Sequence, residues 1–170
     1  MRLAILKAFG QIAQGPAGGT ANFVYVNSVG ENADTSGTVL ASPADLLSSL
    51  FSGAKAGGVE PAAYAHVAEI DGQVVGIAIW FLNYSTWLGK AGLYLEDLFV
   101  KPEFRSRGLG LQLMKTLAQI CVERGYERFQ WWVLDWNEPS INFYKSIGAD
   151  AMDQWTVYRL SGEALKNFAQ

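Results

Sequence analysis

A short run rich in arginine and glycine has the residue types and spacing to bind a phosphate group. It lies between a strand-like and a helix-like stretch and reads Arg105, Ser106, Arg107, Gly108, Leu109 and Gly110. Glycines that open a helix leave backbone N–H groups bare, with no Cβ to block a close ligand. The helix dipole and the arginines add positive charge. The run predicts a pyrophosphate cradle, although short glycine motifs also occur in turns that bind nothing.

Two other phosphate-binding motifs fit this run less well. A P-loop requires Gly-x-x-x-x-Gly-Lys-[Ser/Thr], but Lys115-Thr116 follows Leu113-Met114 here. A dinucleotide fingerprint requires three glycines, and only Gly108-x-Gly110 is present. The pattern Arg-x-x-Gly-x-Gly instead resembles the acetyl-CoA signature of the GNAT family of N-acetyltransferases.

Two further stretches strengthen this resemblance. Residues 95–100, Leu-Glu-Asp-Leu-Phe-Val, and 136–145, Trp-Asn-Glu-Pro-Ser-Ile-Asn-Phe-Tyr-Lys, resemble the diamine acetyltransferase branch, which includes spermidine/spermine and thialysine acetyltransferases. The likeness covers residues 38–169 and comprises three motifs in the family's order. It implies transfer of the acetyl group of acetyl-CoA to a small primary amine, such as a polyamine, a diamine or a lysine-like compound, by direct attack in a ternary complex.

Tyr144 is the residue that the resemblance implicates most directly in the reaction. Attack of an amine on a thioester releases a thiolate, and a nearby phenol can donate a proton to that sulfur. Tyr144 falls on a short predicted helix, at the position where the family carries its general acid. Composition alone would make it an ordinary aromatic residue at a helix–sheet contact. Asn137, at the start of that helix, is predicted to cap it, to contact CoA, or to do both.

Two adjacent acids, Glu96 and Asp97, precede the glycine run on a predicted strand. Neighbouring strand residues point to opposite faces, so both acids can serve one site only if the strand is distorted. The family carries a β-bulge in this strand. The resemblance thus implies that Glu96, as a catalytic and substrate-binding group, and Asp97, as a substrate-binding group, attract the ammonium and help remove its proton. The alternative is a pair of solvent-facing acids.

Backbone and aromatic groups complete the predicted site. The amides at Leu98 and Val100 are expected to pair with the pantetheine arm of acetyl-CoA, as one strand pairs with another. Trp155 matches an acceptor-pocket position of the resemblance. Aromatic faces can hold an alkylammonium by cation–π attraction, worth about 0.5–2 kcal/mol. Further aromatic surface of this kind is available from Trp131, Trp132 and Trp136.

No metal site and no protein nucleophile are expected. His66 and Cys121 are the single residues of their types, so neither a His/Cys metal cluster nor a Cys/His or Ser/His pair at recognisable spacing is found. Cys121 falls on the apolar side of the helix after the glycine run, which favours a small core residue.

Composition restricts the classes of protein to consider. The chain has 170 residues, 50% of them hydrophobic, which suits one domain over 1–170. Its net charge is −3. This charge does not indicate a nucleic-acid or anionic-membrane surface. No apolar run reaches the roughly 18 residues that span a bilayer, and no secretory signal is recognisable, so the cytoplasm is the expected location. The resemblance implies a homodimer, which would also cover exposed aromatic residues.

Hydrophobic periodicity predicts the elements that position these residues. The predicted strands cover 63–70, 74–82, 93–100, 129–134 and 155–160, with a hairpin turn at Asp71-Gly72. The predicted helices cover 109–124, a short stretch from Asn137 to Gly148, and Ser161 through Phe168. This order indicates an α/β fold, and the resemblance implies a mixed, mostly antiparallel central sheet flanked by helices.

The first 35 residues depart from the family's pattern. Residues 1–30 contain only Arg2 and Lys7 as charged groups, and a Gly/Pro-rich stretch over 15–19 interrupts any helix. The family usually begins with a strand and amphipathic helices that wall the acceptor site. A strand over 22–29 and a short helix over 43–51 are predicted instead.

Two other functions stay open at this stage. A protein N-acetyltransferase would need a longer groove for a peptide, whereas the aromatic residues near Trp155 suit a small pocket. The second alternative is a non-catalytic module that binds acyl-CoA without turnover, which the atypical N-terminal segment suggests. Release of free thiol with a panel of amines would separate the three.

Overall fold

The strands of the computed structural model, which describes residues 63–71 and 73–170, form one four-stranded sheet. Across the sheet the order is β1 (Tyr64–Ile70), β2 (Gln73–Ser85), β3 (Lys90–Val100) and β4 (Phe129–Gln130). β1 and β3 are antiparallel to β2, and β4 is parallel to β3. The predicted mixed, mostly antiparallel sheet is confirmed.

Helical elements follow β3 in the described part of the chain. They are a 3₁₀ turn at Pro102–Phe104, α1 over Leu109–Glu123, α2 over Glu138–Ser146 and α3 over Gly162–Phe168. Both α1 and α2 are followed by glycines in the left-handed conformation, Gly125 with φ 68° and Gly148 with φ 84°. Ser161 is the N-cap of α3, but its hydroxyl makes no capping bond.

The core lies between α1 and one face of the sheet, because the apolar residues of α1 recur at helical spacing. Its buried members are Ala78, Trp80, Leu93, Leu95, Leu113, Met114, Leu117, Cys121 and Tyr144. Burying a Leu-sized side chain contributes roughly 1.5–3 kcal/mol, so this cluster is a major source of packing energy in the described part. Burial raises the pKa of the Cys121 thiol, which agrees with the predicted core role.

Strand β4 is shorter than predicted. The sequence predicted a strand over 129–134, but only Phe129 and Gln130 pair with β3, opposite Leu93 and Tyr94. The bulky residues of 131–134 suited a buried strand. However, β3 is bulged two residues beyond Tyr94 and leaves them without a ladder partner.

The strand predicted over 155–160 is not formed. These residues are exposed, and none of the strands in the described ranges pairs with them. β-Propensity measures how well side chains pack on a pleated surface, and this segment has no such surface within the described part. The strand predicted over 22–29, the helix predicted over 43–51 and the atypical segment 1–35 lie outside the described residues.

Candidate functional site

A β-bulge in β3 orients the two acids. Leu95 pairs with Trp80 and Asp97 pairs with Ile79, so Glu96 is the extra residue with no partner in β2. Because adjacent residues of β2 point to opposite faces, Leu95 and Asp97 also do. Glu96 alternates with Leu95, which lies in the core. The bulge therefore brings Glu96 and Asp97 to the same face, opposite α1, which we term the acid face.

Desolvation and repulsion act on this acid pair. Asp97 is half-buried, whereas Glu96 is exposed. Burial, together with the charge of Glu96, raises the pKa of the Asp97 carboxyl to about 6. A carboxyl with a pKa near neutrality is suited to accept and release a proton at physiological pH. Asp97 thus has the environment of a general base, a distinction from Glu96 that the sequence pattern did not make.

β3 separates from the segment after β4 just beyond their last pair. β3 continues from Leu95 to Val100 paired with β2, whereas its ladder with β4 ends at Tyr94. We term the opening between 95–100 and 131–134 the strand gap. Lys101 N donates to Val75 O in β2 at 2.9 Å, so Val100 and Leu98 direct their backbone groups to the other edge of β3. The edge that the sequence predicted to bind pantetheine therefore borders this gap.

The loop before α1 presents bare backbone N–H groups. Gly108 is the N-cap with φ 77°, and Ser106 has φ 60°, so both are left-handed. No side chain in the described part caps α1, and its first internal bond runs from Gln112 N to Gly108 O. The N–H groups of 109–111 precede that bond and remain available to a ligand. A Cβ placed on Gly110 would meet no atom within 4 Å, so the space beside this backbone is open.

The two arginines of this loop have different environments. Arg105 Nε donates a hydrogen bond to the Val100 carbonyl oxygen at 3.0 Å and so ties the loop to the end of β3. The Arg107 guanidinium is exposed and lies 5.3 Å from the centre of the Phe104 ring. A guanidinium can stack on a ring and still donate from its edge, so Arg107 can contact an anion at the start of α1.

Asn137 is the N-cap of α2, and Tyr144 lies within α2 on the core side of the sheet. Asn137 is 1% exposed, and its Oδ1 accepts a hydrogen bond from Ser140 N at 3.3 Å, which confirms the predicted cap. Tyr144 is 7% exposed, with its ring centre 5.0 Å from that of Trp131 and 5.4 Å from that of Phe143. The structure therefore places Tyr144 and the acid pair on opposite faces of the sheet.

Trp155 is not brought to the acid pair. Its ring centre lies 6.5 Å from that of Trp87, in the turn between β2 and β3, and both rings are exposed. The distance along β3 from Lys90, next to that turn, to Glu96 is roughly 20 Å.

Three aromatic rings on the acid face include two that sequence analysis missed. Tyr94 lies between Phe81 and Trp132, with ring centres 4.9 Å and 5.6 Å away. Of these, the sequence indicated only Trp132, as one of several tryptophans. Period-two alternation was the available signal, because Phe81 follows the core residue Trp80 and Tyr94 lies between the core residues Leu93 and Leu95.

His66 has a structural partner. The Trp80 indole N–H donates to His66 Nδ1 at 3.0 Å, and burial together with the charge of Arg124 lowers the pKa of the imidazole. Over 63–71 and 73–170, no group of three His, Cys, Asp or Glu side chains could hold a metal ion. Over the same ranges, no helix has the length and apolarity needed to cross a membrane.

Similarity to known proteins agrees with this geometry. A thialysine N-epsilon-acetyltransferase from Bos taurus is 37% identical over 99 residues, which cover 56% of this chain and 58% of the bovine protein. An L-ornithine N5-acetyltransferase from Arabidopsis thaliana is 40% identical over 96 residues, which cover 56% of this chain and 42% of the plant protein. The matched part of the chain therefore spans 58% of the bovine protein and 42% of the plant protein, less than two thirds of either.

A solved structure and a family model extend the match. An integron cassette protein from the mobile metagenome of V. cholerae superposes with a TM-score of 0.65 at 31% identity, covering 76% of this chain and 79% of that one. Residues 40–149 match the acetyltransferase (GNAT) family. That match covers well over half of the sequence and includes the strand gap, the glycine run and α2. This chain belongs to the acetyltransferase (GNAT) family, as its three motifs predicted.

Proposed function

We propose that this chain is an acetyl-CoA-dependent N-acetyltransferase whose acceptor is a small primary amine. Polyamines, diamines and lysine-like amines are the classes to test first. The observation that carries the proposal is the bulge that sets Glu96 and Asp97 on one face, beside the strand gap. The relatives named for thialysine and L-ornithine support a primary amine on an aliphatic chain.

The residues assigned to acetyl-CoA fit its chemistry. The bare N–H groups of 109–111, the helix dipole and Arg107 suit a pyrophosphate, and the open space at Gly110 lets it approach the backbone. The edge of β3 at Leu98 and Val100 suits the amides of pantetheine. Acetyl-CoA supplies the thioester whose carbonyl carbon the amine attacks.

The acid pair and Tyr144 lie on opposite faces of the sheet and are assigned complementary proton transfers across the strand gap, because Tyr144 packs on Trp131 at the border of that gap. Glu96 and Asp97 attract the ammonium, and Asp97, with a pKa of about 6, accepts its proton directly or through water. The neutral amine forms the N–C bond as the C–S bond breaks. Tyr144 donates a proton to the departing sulfur, and the proton released as the amide forms restores the phenol. The products are the N-acetylated amine and CoA thiol, without an acyl-enzyme.

Release of free thiol from acetyl-CoA tests this function directly. We expect release with at least one of spermidine, 1,4-diaminobutane, thialysine and L-lysine, with the acetylated product identified by mass spectrometry. Release only with peptides would make the chain a protein N-acetyltransferase. Binding of acetyl-CoA without release for any acceptor would make it a non-catalytic acyl-CoA-binding module.

We further propose that the chain forms a homodimer. The C-terminal segment carries a series of exposed apolar residues, Trp155, Val157, Tyr158, Leu160, Leu165 and Phe168. Apolar surface concentrated in one segment is typical of a subunit interface. Light scattering should give twice the 18.6 kDa of one chain. A stable single-chain species at micromolar concentration would contradict the dimer.

A further inference from the structure

Three aromatic rings form a row on the acid face. Phe81 pairs with Tyr94 across β2 and β3, and Tyr94 pairs with Gln130 across β3 and β4. Trp132 follows Gln130 by two residues, and its ring meets that of Tyr94 nearly at a right angle, with centroids 5.6 Å apart. The rings of Phe81 and Tyr94 lie 4.9 Å apart. The aromatic row therefore crosses from β2 over β3 to the far border of the strand gap.

The aromatic row is separate from the core and partly open. The buried core cluster lies on the opposite face, beneath α1. Trp132 is 46% exposed, whereas its neighbour Trp131 is half-buried against Tyr144. An indole held by an edge-to-face contact presents a flat apolar surface in a defined orientation. Such a surface is suited to stack on a flat ligand group.

The aromatic row adjoins the acid pair. Tyr94 and Glu96 are two residues apart on the same side of β3, at a spacing of roughly 7 Å. Burial, and to a smaller extent the charge of Glu96, raises the pKa of the Tyr94 phenol, so Tyr94 and Glu96 are within electrostatic reach of each other. An ammonium held between Glu96 and Asp97 would leave the rest of its molecule beside these rings.

We propose that Phe81, Tyr94 and Trp132 form a subsite for the ring of an arylalkylamine whose ammonium is held by Glu96 and Asp97. The inference rests on the proposed function and adds an aromatic class of acceptor to the aliphatic amines named there. Trp132 is the specificity-determining residue, because it is the most exposed of the three rings and borders the gap where the thioester is expected.

An aliphatic diamine needs different binding groups on the acid face from those that an arylalkylamine needs. Its second ammonium needs either another acid or the π-face of a ring. An arylalkylamine has one charge and a flat apolar group. Butylamine has one charge and no ring. Comparison of these three ligands therefore separates ring stacking from charge binding.

Calorimetry on the full chain saturated with CoA tests the subsite. We expect the parent to bind 2-phenylethylamine more tightly than butylamine. Trp132→Ala should raise the Kd for 2-phenylethylamine about tenfold, because it removes the stacking surface. The Kd for butylamine should change less than threefold. Trp132→Leu, which keeps apolar volume without the ring, should give the same selective loss, whereas Trp132→Phe should keep most of the affinity.

Tyr84→Ala is the matched control, because it removes a ring that is 62% exposed and lies on the face of β2 opposite Phe81. It should leave both affinities unchanged. Equal weakening of 2-phenylethylamine and butylamine would reduce Trp132 to a structural residue. Selective weakening of 1,4-diaminobutane would make the row a site for a second ammonium. Either of these two results would contradict the proposed aromatic subsite. Unchanged binding of 2-phenylethylamine in both Trp132→Ala and Trp132→Leu would also contradict it.

Binding is measured without turnover, so the two proposals fail separately. Absence of thiol release with every amine would remove the proposed function while the calorimetric comparison stays readable. A chain that acetylates diamines but binds 2-phenylethylamine no better than butylamine would keep the proposed function and lose the aromatic subsite.

Discussion

At the N-terminus of α1 the groups that face a ligand belong to the backbone, whereas on the acid face of β3 they belong to side chains. The first region depends on the left-handed conformation of Gly108 and on the open space beside Gly110, with N–H groups that any residue could supply. The second depends on Glu96, Asp97 and Trp132, which could be exchanged without altering the strand path. We term the acetyl-CoA site at the start of α1 the donor end. We infer that backbone conformation determines binding at the donor end and that side chains determine which amine acceptor is selected.

Tyr144 is the side chain that we assign to the donor end, and removal of its hydroxyl should have the largest effect on turnover. Tyr144→Phe removes one oxygen and keeps the ring beside Trp131, so folding and acetyl-CoA affinity should be retained. Loss of a positioned general acid should lower kcat by about 10²–10⁴. Steady-state kinetics with the best amine measure this, and the loss should shrink with an acyl donor whose thiol has a lower pKa.

Tyr126→Phe is the matched control, because it makes the same change on another tyrosine that packs against the core. It should leave kcat within about twofold of the parent, since it removes a phenol away from the reacting sulfur. If Tyr144→Phe also turns over at near the parent rate, Tyr144 is a packed aromatic residue and water supplies the proton.

Asp97→Asn should have the next largest effect, lowering kcat/KM for the amine by about 10² through loss of the general base. In the parent, activity requires the ionised carboxylate, whose pKa is raised to about 6 by burial and by Glu96. Activity should therefore rise with pH through about 6 and then level off. A pH–rate profile checks this, and the rise should disappear in Asp97→Asn.

Asp97→Asn should raise the stability of the fold, although it lowers activity. A carboxyl whose pKa rises from 3.8 to about 6 on folding binds its proton more tightly in the folded state. Its contribution to stability is therefore lost as the pH rises from about 4 to 6. At pH 7, Asp97→Asn should raise the free energy of unfolding by about 1–3 kcal/mol, as measured by urea denaturation. A destabilised variant would show that the carboxylate has an unrecognised partner.

Gly110→Val tests whether the donor end depends on open backbone. The Cβ of the new side chain would meet no protein atom within 4 Å outside its own stretch of helix, so the fold should accept it. It would occupy the space assigned to the pyrophosphate and raise the Kd for acetyl-CoA at least about tenfold, roughly 1.4 kcal/mol. Gln119→Val, at an exposed position of the same helix, is the control. Unchanged affinity in the folded Gly110 variant would remove the cradle assignment.

Glu96→Gln should have the smallest effect, because Glu96 is exposed and its attraction for the ammonium is screened by solvent. We expect the KM for the amine to rise about two- to fivefold with acetyl-CoA affinity unchanged. Glu103→Gln, which neutralises an exposed acid in the 3₁₀ turn, should change neither parameter. Identical kinetics for both variants across an amine panel would reduce Glu96 to a surface acid.

Elements with local signals were predicted closely. Helix α1 was predicted over 109–124 and spans Leu109–Glu123, because its apolar repeat and the glycine that follows lie within the segment itself. The strand predicted over 155–160 failed, since strand formation depends on a partner far away in the chain. β4 was overextended for the same reason. Its partner diverges at a bulge that residues 129–134 do not encode.

The site shows the same division. The glycine run, the acids and Asn137 were found from motif and spacing. Burial was not visible in the sequence, so the raised pKa of the Asp97 carboxyl was not predicted. The partnership of Phe81, Tyr94 and Trp132 joins three segments that are distant in sequence. Only the sheet register brings them together.

The bulge also has a consequence at the level of the gene. Glu96 is one residue more than a regular ladder with β2 requires. An in-frame loss of its codon would place Asp97 directly after Leu95 and leave the later strand residues on their present faces. The resulting protein would keep its core but have one acid and an undistorted strand. A single-codon insertion into such a strand would thus have been sufficient to turn one isolated carboxyl group into a pair.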